Sequence, residues 1–159
     1  MPDLLVPLYR LPPAQTRLDA LREAGIVIRR AYPFELSRTR RFIVRHFTES
    51  WADEAEAAFA RQPITCWLAI HERRIVGFAC VESTARGFFG PTGVEAAWRG
   101  RGIGAALLLA ALHGLREMGY AYAIIGAAGP ADFYARTAGA IPIPDSTPGI
   151  YVDMLDRDD

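Results

Sequence analysis

The chain has 159 residues, 51% of them apolar, and its 18 basic and 18 acidic side chains cancel to a net charge of zero. That length and apolar share suit a single domain, 1–159, with residues 1–24 as an N-terminal arm and short helix and 26–155 as the body. The neutral balance gives no support to a nucleic-acid or membrane-surface partner, and no apolar run is long enough to span a bilayer. The stretch Met1 to Leu11 lacks the basic and long apolar regions of a signal peptide, so a cytoplasmic location is expected.

Pro2, Pro7, Pro12 and Pro13 exclude an ordinary helix at the start, and residues 1–13 read as an extended arm. The arm would cover its own domain or reach a partner subunit in a homodimer. Gln15 to Ala24 reads as a short helix stopped by Gly25. Ile26 to Ala31 reads as the first strand, ended by Pro33. Glu35 to Phe47 has helical spacing, and its Arg38 to Arg41 run reads as a solvated face. Ser50 is the expected cap of a second helix over Trp51 to Arg61. Ile64 to His71 and Ile75 to Glu82 flank the turn Glu72-Arg73-Arg74 and read as a hairpin. A three-residue loop there sets Cys66 opposite Cys80, expected as two buried thiols in a reducing compartment.

Phe88 to Glu95 reads as a strand that must be irregular near Pro91, because proline cannot donate to a ladder. Ile103 to Met118 carries a strong apolar helical stripe. Tyr120 to Ala127 reads as a buried strand. A short helix runs from Gly129-Pro130 to Gly139. Ile141 to Ile143 and Gly149 to Leu155 read as the last strands, and Asp156 to Asp159 as a frayed tail. The layout is mixed α/β (α+β): about seven strands in a mainly antiparallel sheet flanked by helices.

The chemistry lies in the passage from strand to helix, Val94-Glu95-Ala96-Ala97-Trp98-Arg99-Gly100-Arg101-Gly102-Ile103-Gly104-Ala105. A helix start offers free N–H groups and the positive end of a dipole, so it binds phosphate oxygens. Glycines let backbone approach an anion, and Arg99 and Arg101 add charge. The feature reads as a diphosphate cradle. It is not a P-loop, since Ile103-Gly104-Ala105 stands where Gly-Lys-Ser/Thr is needed. A nicotinamide fingerprint would want an acidic residue about 20 positions on, and Tyr120 to Ala127 holds none. His46, His71 and His113 are too scattered for a metal site, and no metal is expected.

The run Arg99-x-x-Gly102-x-Gly104, between an irregular strand and a long helix, resembles the coenzyme-A-binding motif of the GNAT superfamily of N-acetyltransferases. The element order over residues 26–155 is similar to that family as well. The resemblance implies acetyl-CoA as co-substrate, held at Val94, Glu95, Arg99, Gly100, Arg101, Gly102, Ile103, Gly104 and Ala105. It also implies a splayed, bulged central strand pair that admits the cofactor, with the N–H near Val94 as oxyanion donor. Phe133-Tyr134-Ala135-Arg136-Thr137-Ala138-Gly139 resembles the family segment whose tyrosine protonates the leaving thiolate. Tyr134 is the matching residue, beside the cofactor sulfur; a phenol near 10 suits a thiolate of roughly 8 to 9. Many members carry an asparagine seven positions earlier, where this chain has Ala127.

The implied reaction is direct attack of a primary amine, on a small molecule or a protein, on the thioester in a ternary complex. Glu82, Glu95 or a water chain could accept the amine proton. Trp51 and the loop Asp145-Ser146-Thr147 are acceptor-side candidates by the same resemblance. The alternative from another class is a non-catalytic acyl-CoA-binding regulatory module on the same fold.

Overall fold

A computed structural model describes residues 1–156; the tail expectation over 157–159 lies outside the described residues. One seven-stranded sheet carries the fold, in the order β2-β3-β4-β5-β6-β1-β7. Its strands are β1 (Leu4–Pro7), β2 (Ile26–Arg30), β3 (Cys66–His71), β4 (Arg74–Val81), β5 (Phe88–Val94), β6 (Tyr122–Ile125) and β7 (Ile141–Pro142). All neighbours pair antiparallel except β5 and β6, which are parallel. The helices are α1 (Gln15–Glu23), α2 (Leu36–His46), α3 (Glu49–Phe59), α4 (Ile103–Glu117) and α5 (Ala131–Ala138).

Period-two alternation splits the buried side chains between the two faces. Trp67, Ala69, Ala79, Val81 and Phe89 point to one core with Leu107, Leu108, Leu112 and Leu115 of α4. Cys66, Leu68, Phe78 and Cys80 point to the other, under Phe42 and Ile43 of α2 and Ala52, Ala55 and Ala58 of α3. The helical stripe of α4 is wide because that helix is covered on nearly every side, Ile103 to Leu115.

Three sequence expectations change. Gly149 to Leu155 forms no strand. The N-terminal arm supplies the missing one: β1 inserts between β6 and β7 in its own sheet. Pro7 is tolerated because it is the last residue of the strand. Thr48 and not Ser50 caps α3, its Oγ1 accepting from Trp51 N–H at 3.2 Å. The β3–β4 turn has two central residues, Glu72 and Arg73, both at positive φ. A register shift between Ala69 and Ile70 leaves Val76 as an extra residue, and this bulge restores the Cys66–Cys80 pairing. Both thiols are buried and free. Cys80 beside it and burial push the Cys66 thiol up, which keeps it protonated and unreactive.

Candidate functional site

β5 and β6 pair only at Phe88↔Ile124 and Phe89↔Ile125. Beyond those two rungs they part. On β5 the cause is local: the register against β4 skips between Ala79 and Val81, so Gly90 and Pro91 together oppose Cys80. The irregularity expected at Pro91 is therefore a bulge at the mouth of a wedge. Past it, Glu95 N–H donates to Val76 O at 2.9 Å. Groups along an antiparallel ladder alternate in direction, so Val94 N–H points away from β4, into the wedge. Its carbonyl does too, and accepts from Arg99 Nε at 3.1 Å.

The wedge leads to the start of α4. Gly100 and Gly102 both take positive φ, 76° and 82°, and a Cβ on either would meet nothing within 4 Å. The backbone there is bare and faces open space. Ala106 N–H to Gly102 O is the first bond of the helix, at 3.1 Å. The N–H groups of Ile103, Gly104 and Ala105 thus precede the ladder and stand ready for an anion. Arg101 stacks over Trp98, 4.5 Å from its ring centre, and is exposed, as Arg99 is. Gly104 faces Val94 and Phe133, with a Cβ position 3.8 Å and 3.9 Å from them. The cradle, the free strand edge and α5 are thus one continuous surface. The residues fit a ligand with a diphosphate at one end and an extended amide-bearing arm.

Tyr134, on α5, is 6% exposed and packs edge-on against Phe89 with ring centres 6.2 Å apart. Burial pushes its phenol up from the ordinary value, so it stays protonated at neutral pH. Its hydroxyl has no hydrogen-bond partner among the described residues. The one buried side-chain polar atom without a partner there is Ser83 Oγ, so the Tyr134 hydroxyl reaches accessible space. Phe89 is the last rung before the strands part, which sets Tyr134 beside the base of the wedge on the α4–α5 face.

The two carboxylate candidates are placed apart. Glu82 is 3% exposed, and its Oε1 accepts from Gly87 N–H at 2.5 Å. It pins the β4–β5 turn at the closed end of the strand pair, next to Tyr120. Glu95 follows β5 at the cradle end, half-buried, with no side-chain hydrogen bond among the described residues. The acceptor-side candidates sit on the opposite face. Trp51 stacks on Phe47, ring centres 5.4 Å apart, and Phe47 lies flat on Gly93 of β5. Ser146 and Thr147 hold the N-terminal arm: Ser146 Oγ accepts from Asp3 N–H at 2.8 Å, and Thr147 Oγ1 donates to Met1 O at 3.0 Å. Ala127, in place of the family asparagine, donates its N–H to Asp3 Oδ1 at 2.8 Å.

Sequence reasoning missed three residues on that face: Asp3, Glu54 and Tyr151. The signal for Glu54 was present, since it lies four positions before the inward Ala58 on α3. Tyr151 was hidden inside an apparent strand. Among the described residues no group of three or more His, Cys, Asp or Glu could hold a metal, and no helix is long and apolar enough to cross a membrane.

The family model for the acetyltransferase (GNAT) family matches residues 30–139. No curated protein matches the chain. A GCN5-related glucosamine N-acetyltransferase region of a fungal multi-domain GH3 β-N-acetylglucosaminidase superposes with a TM-score of 0.72 at 18% identity, over 89% of this chain and 19% of that one. A GCN5-related N-acetyltransferase from Sphaerobacter thermophilus gives 0.69 at 24% identity, over 89% of this chain and 48% of that one. A Mycobacterium tuberculosis protein solved with CoA gives 0.52 at 19% identity, over 69% of each chain. These identities show a shared fold, and the chain spans about a fifth and about half of the first two proteins. The family match covers well over half of the chain and takes in the wedge, the cradle and Tyr134; the protein belongs to the GNAT acetyltransferase family.

Proposed function

We propose that the protein is an N-acetyltransferase that moves the acetyl group of acetyl-CoA to a primary amine by direct attack. The observation that carries this is the joining of a parted strand pair to a bare helix start. Ile103, Gly104 and Ala105 offer their N–H groups to the diphosphate, and Arg99 and Arg101 supply charge. The free edge of β5 offers backbone groups to the arm that follows. When bound, acetyl-CoA supplies the activated acyl group as a thioester. Val94 N–H points to where the carbonyl oxygen gains charge, in a site that water leaves on binding. The amine nitrogen bonds to the acetyl carbon and gives up a proton. The carbon–sulfur bond breaks, and Tyr134, kept protonated by burial, donates its proton to the sulfur.

All 18 basic side chains are arginine, and the chain has no lysine. Any acetyl-lysine found after a reaction therefore comes from an added acceptor. The test is a thermal-shift titration with acetyl-CoA, CoA, NADH and ATP, followed by a thiol-release assay on a panel of amines. A ligand at 100 times its Kd adds about 2.7 kcal/mol to stability. A shift with acetyl-CoA and CoA alone, then amine-dependent thiol release, is expected. No shift with either, or one with NADH instead, overturns the proposal.

A further inference from the structure

The α2–α3 face of the wedge holds a carboxylate that, among the described residues, no ion pair uses. Glu54 is half-buried on α3, and among the described residues its carboxylate makes no ion pair. Its helix neighbours Asp53 and Glu56 differ: both pair with Arg40 of α2, at 3.0 Å and 2.9 Å, on the exposed side. The Thr84 hydroxyl, in the β4–β5 connection, lies beside Glu54. Tyr151 comes from the C-terminal segment. A Cβ on Gly126 would collide with its hydroxyl and stand 3.1 Å from Cε2 of Phe88. Phe88 is on the first rung of the β5–β6 pair and Gly126 follows the last. The Tyr151 hydroxyl therefore rests at the point where the strands part, on the face opposite Tyr134.

The charges there are of one sign. Burial first, then Asp3 and Glu54, hold the Tyr151 phenol above the ordinary value. Asp3 is fixed by Ala127 N–H. The titratable group that feels Glu54 is Tyr151 from the C-terminal segment, on which Asp3 beside β1 also acts. From α2, Arg40 is taken by Asp53 and Glu56, while His46 packs on Phe42, ring centres 4.8 Å apart. Burial in turn raises the Glu54 carboxyl above its ordinary value, against the smaller opposing effect of a hydrogen bond from the Thr84 hydroxyl. A desolvated carboxylate without a cation is a site for one.

Resting on the acetyltransferase reading, we infer that Glu54 is a catalytic residue: it receives the ammonium group of a cationic amine acceptor at the parting of β5 and β6, near Tyr151, and takes one of its protons, which frees the nitrogen lone pair for attack. The nitrogen–acetyl bond then forms and the carbon–sulfur bond breaks; the second nitrogen proton leaves to water, the sulfur receives one from Tyr134, and Tyr134 is reprotonated from water. The acceptor class follows from the charges. A diamine or amino sugar suits a pocket of two carboxylates and a phenol. An α-amino acid, which carries its own carboxylate next to the amine, does not.

The experiment uses wild type, Glu54→Gln and Tyr151→Phe, each saturated with CoA and melted against 1,4-diaminobutane and against glycine. The diamine is expected to raise the melting temperature of wild type, to do so less in Tyr151→Phe, and to have no effect in Glu54→Gln; glycine leaves all three unchanged. Absence of a diamine shift in wild type, an equal shift in Glu54→Gln, or a shift with glycine overturns the inference. Failure of CoA itself to stabilise wild type overturns the acetyltransferase reading instead. The CoA shift of each variant reports that it is folded, and if Glu54→Gln does not fold, an unchanged diamine shift in Tyr151→Phe overturns the inference.

Discussion

Where β5 and β6 part, the two faces of the sheet are built differently. On the α4–α5 face, Tyr134 is sunk in an apolar core against Phe89 and Phe133, and only its hydroxyl reaches open space. On the α2–α3 face, the Tyr151 hydroxyl rests on Gly126 under the negative charges of Asp3 and Glu54, and Glu54 has no ion pair among the described residues. A buried phenol stays protonated and a buried carboxylate gains basicity. The same desolvation thus favours the protonated phenol on one face and raises the basicity of the carboxylate on the other. The contrast teaches that one irregularity, the bulge at Gly90-Pro91, sits where the strands part and where two differently built faces come close.

The largest effect expected from breaking this contrast is on the donor side. Tyr134→Phe keeps the ring in its core and removes the proton. Turnover should fall by about 10²–10⁴ in a thiol-release assay, while the thermal shift with CoA is kept. Undiminished turnover removes Tyr134 from the mechanism; loss of the CoA shift makes it a packing residue. Next is the cradle that both faces share. Gly102→Val places a branched side chain at φ 82° over the free N–H groups. Left-handed backbone costs an L-residue about 1–2 kcal/mol, and the added bulk should abolish the acetyl-CoA shift. A retained shift places the diphosphate elsewhere.

A smaller effect is expected at the brace of the acceptor face. Asp3→Ala leaves Ala127 N–H without its partner, which costs about 1–3 kcal/mol. For a chain of this size that is a fall of about 2–4 °C in Tm per kcal/mol. The loss should be nearly the same with and without CoA, because Asp3 braces β1 against the loop after β6 and not the cradle.

Much of this was legible in the sequence, for physical reasons that differ by element. The stripe of α4, the alternation of β3 and β4 and the glycine-rich turn are set by local periodicity and by free helix-start amides. The swap at the far edge of the sheet was not legible. Leu4 to Pro7 looks too proline-bound for a strand, yet its strand has to donate little at Pro7, its last residue. Gly149 to Leu155 alternates like a strand, yet Pro148, Gly149 and the close approach of Asp3 to Gly149 turn it away. Ile150, Val152 and Met154 are left exposed while Tyr151 is drawn onto Gly126. Two segments competed for one place beside β6, and no local signal decides a long-range pairing. The inward side of Glu54 could be read from its spacing to Ala58, but only the tertiary fold shows that its acidic neighbours find Arg40 and it does not.

The smallest effect is a test of sign, and it needs no substrate. The folded Glu54 carboxyl sits above its unfolded value through burial. A carboxyl raised on folding favours the native state while protonated, and that advantage is lost as pH rises through the folded pKa. Glu54→Gln mimics the protonated form at every pH. The variant should therefore melt above wild type at neutral pH, and the gap should close as the pH falls below about 4, the unfolded glutamate range. A surface carboxylate with a hidden partner gives the reverse order at neutral pH. The variant more stable at neutral pH, and unable to hold a diamine, would mean that the wild-type charge is kept at a cost to the fold and in the service of the acceptor site.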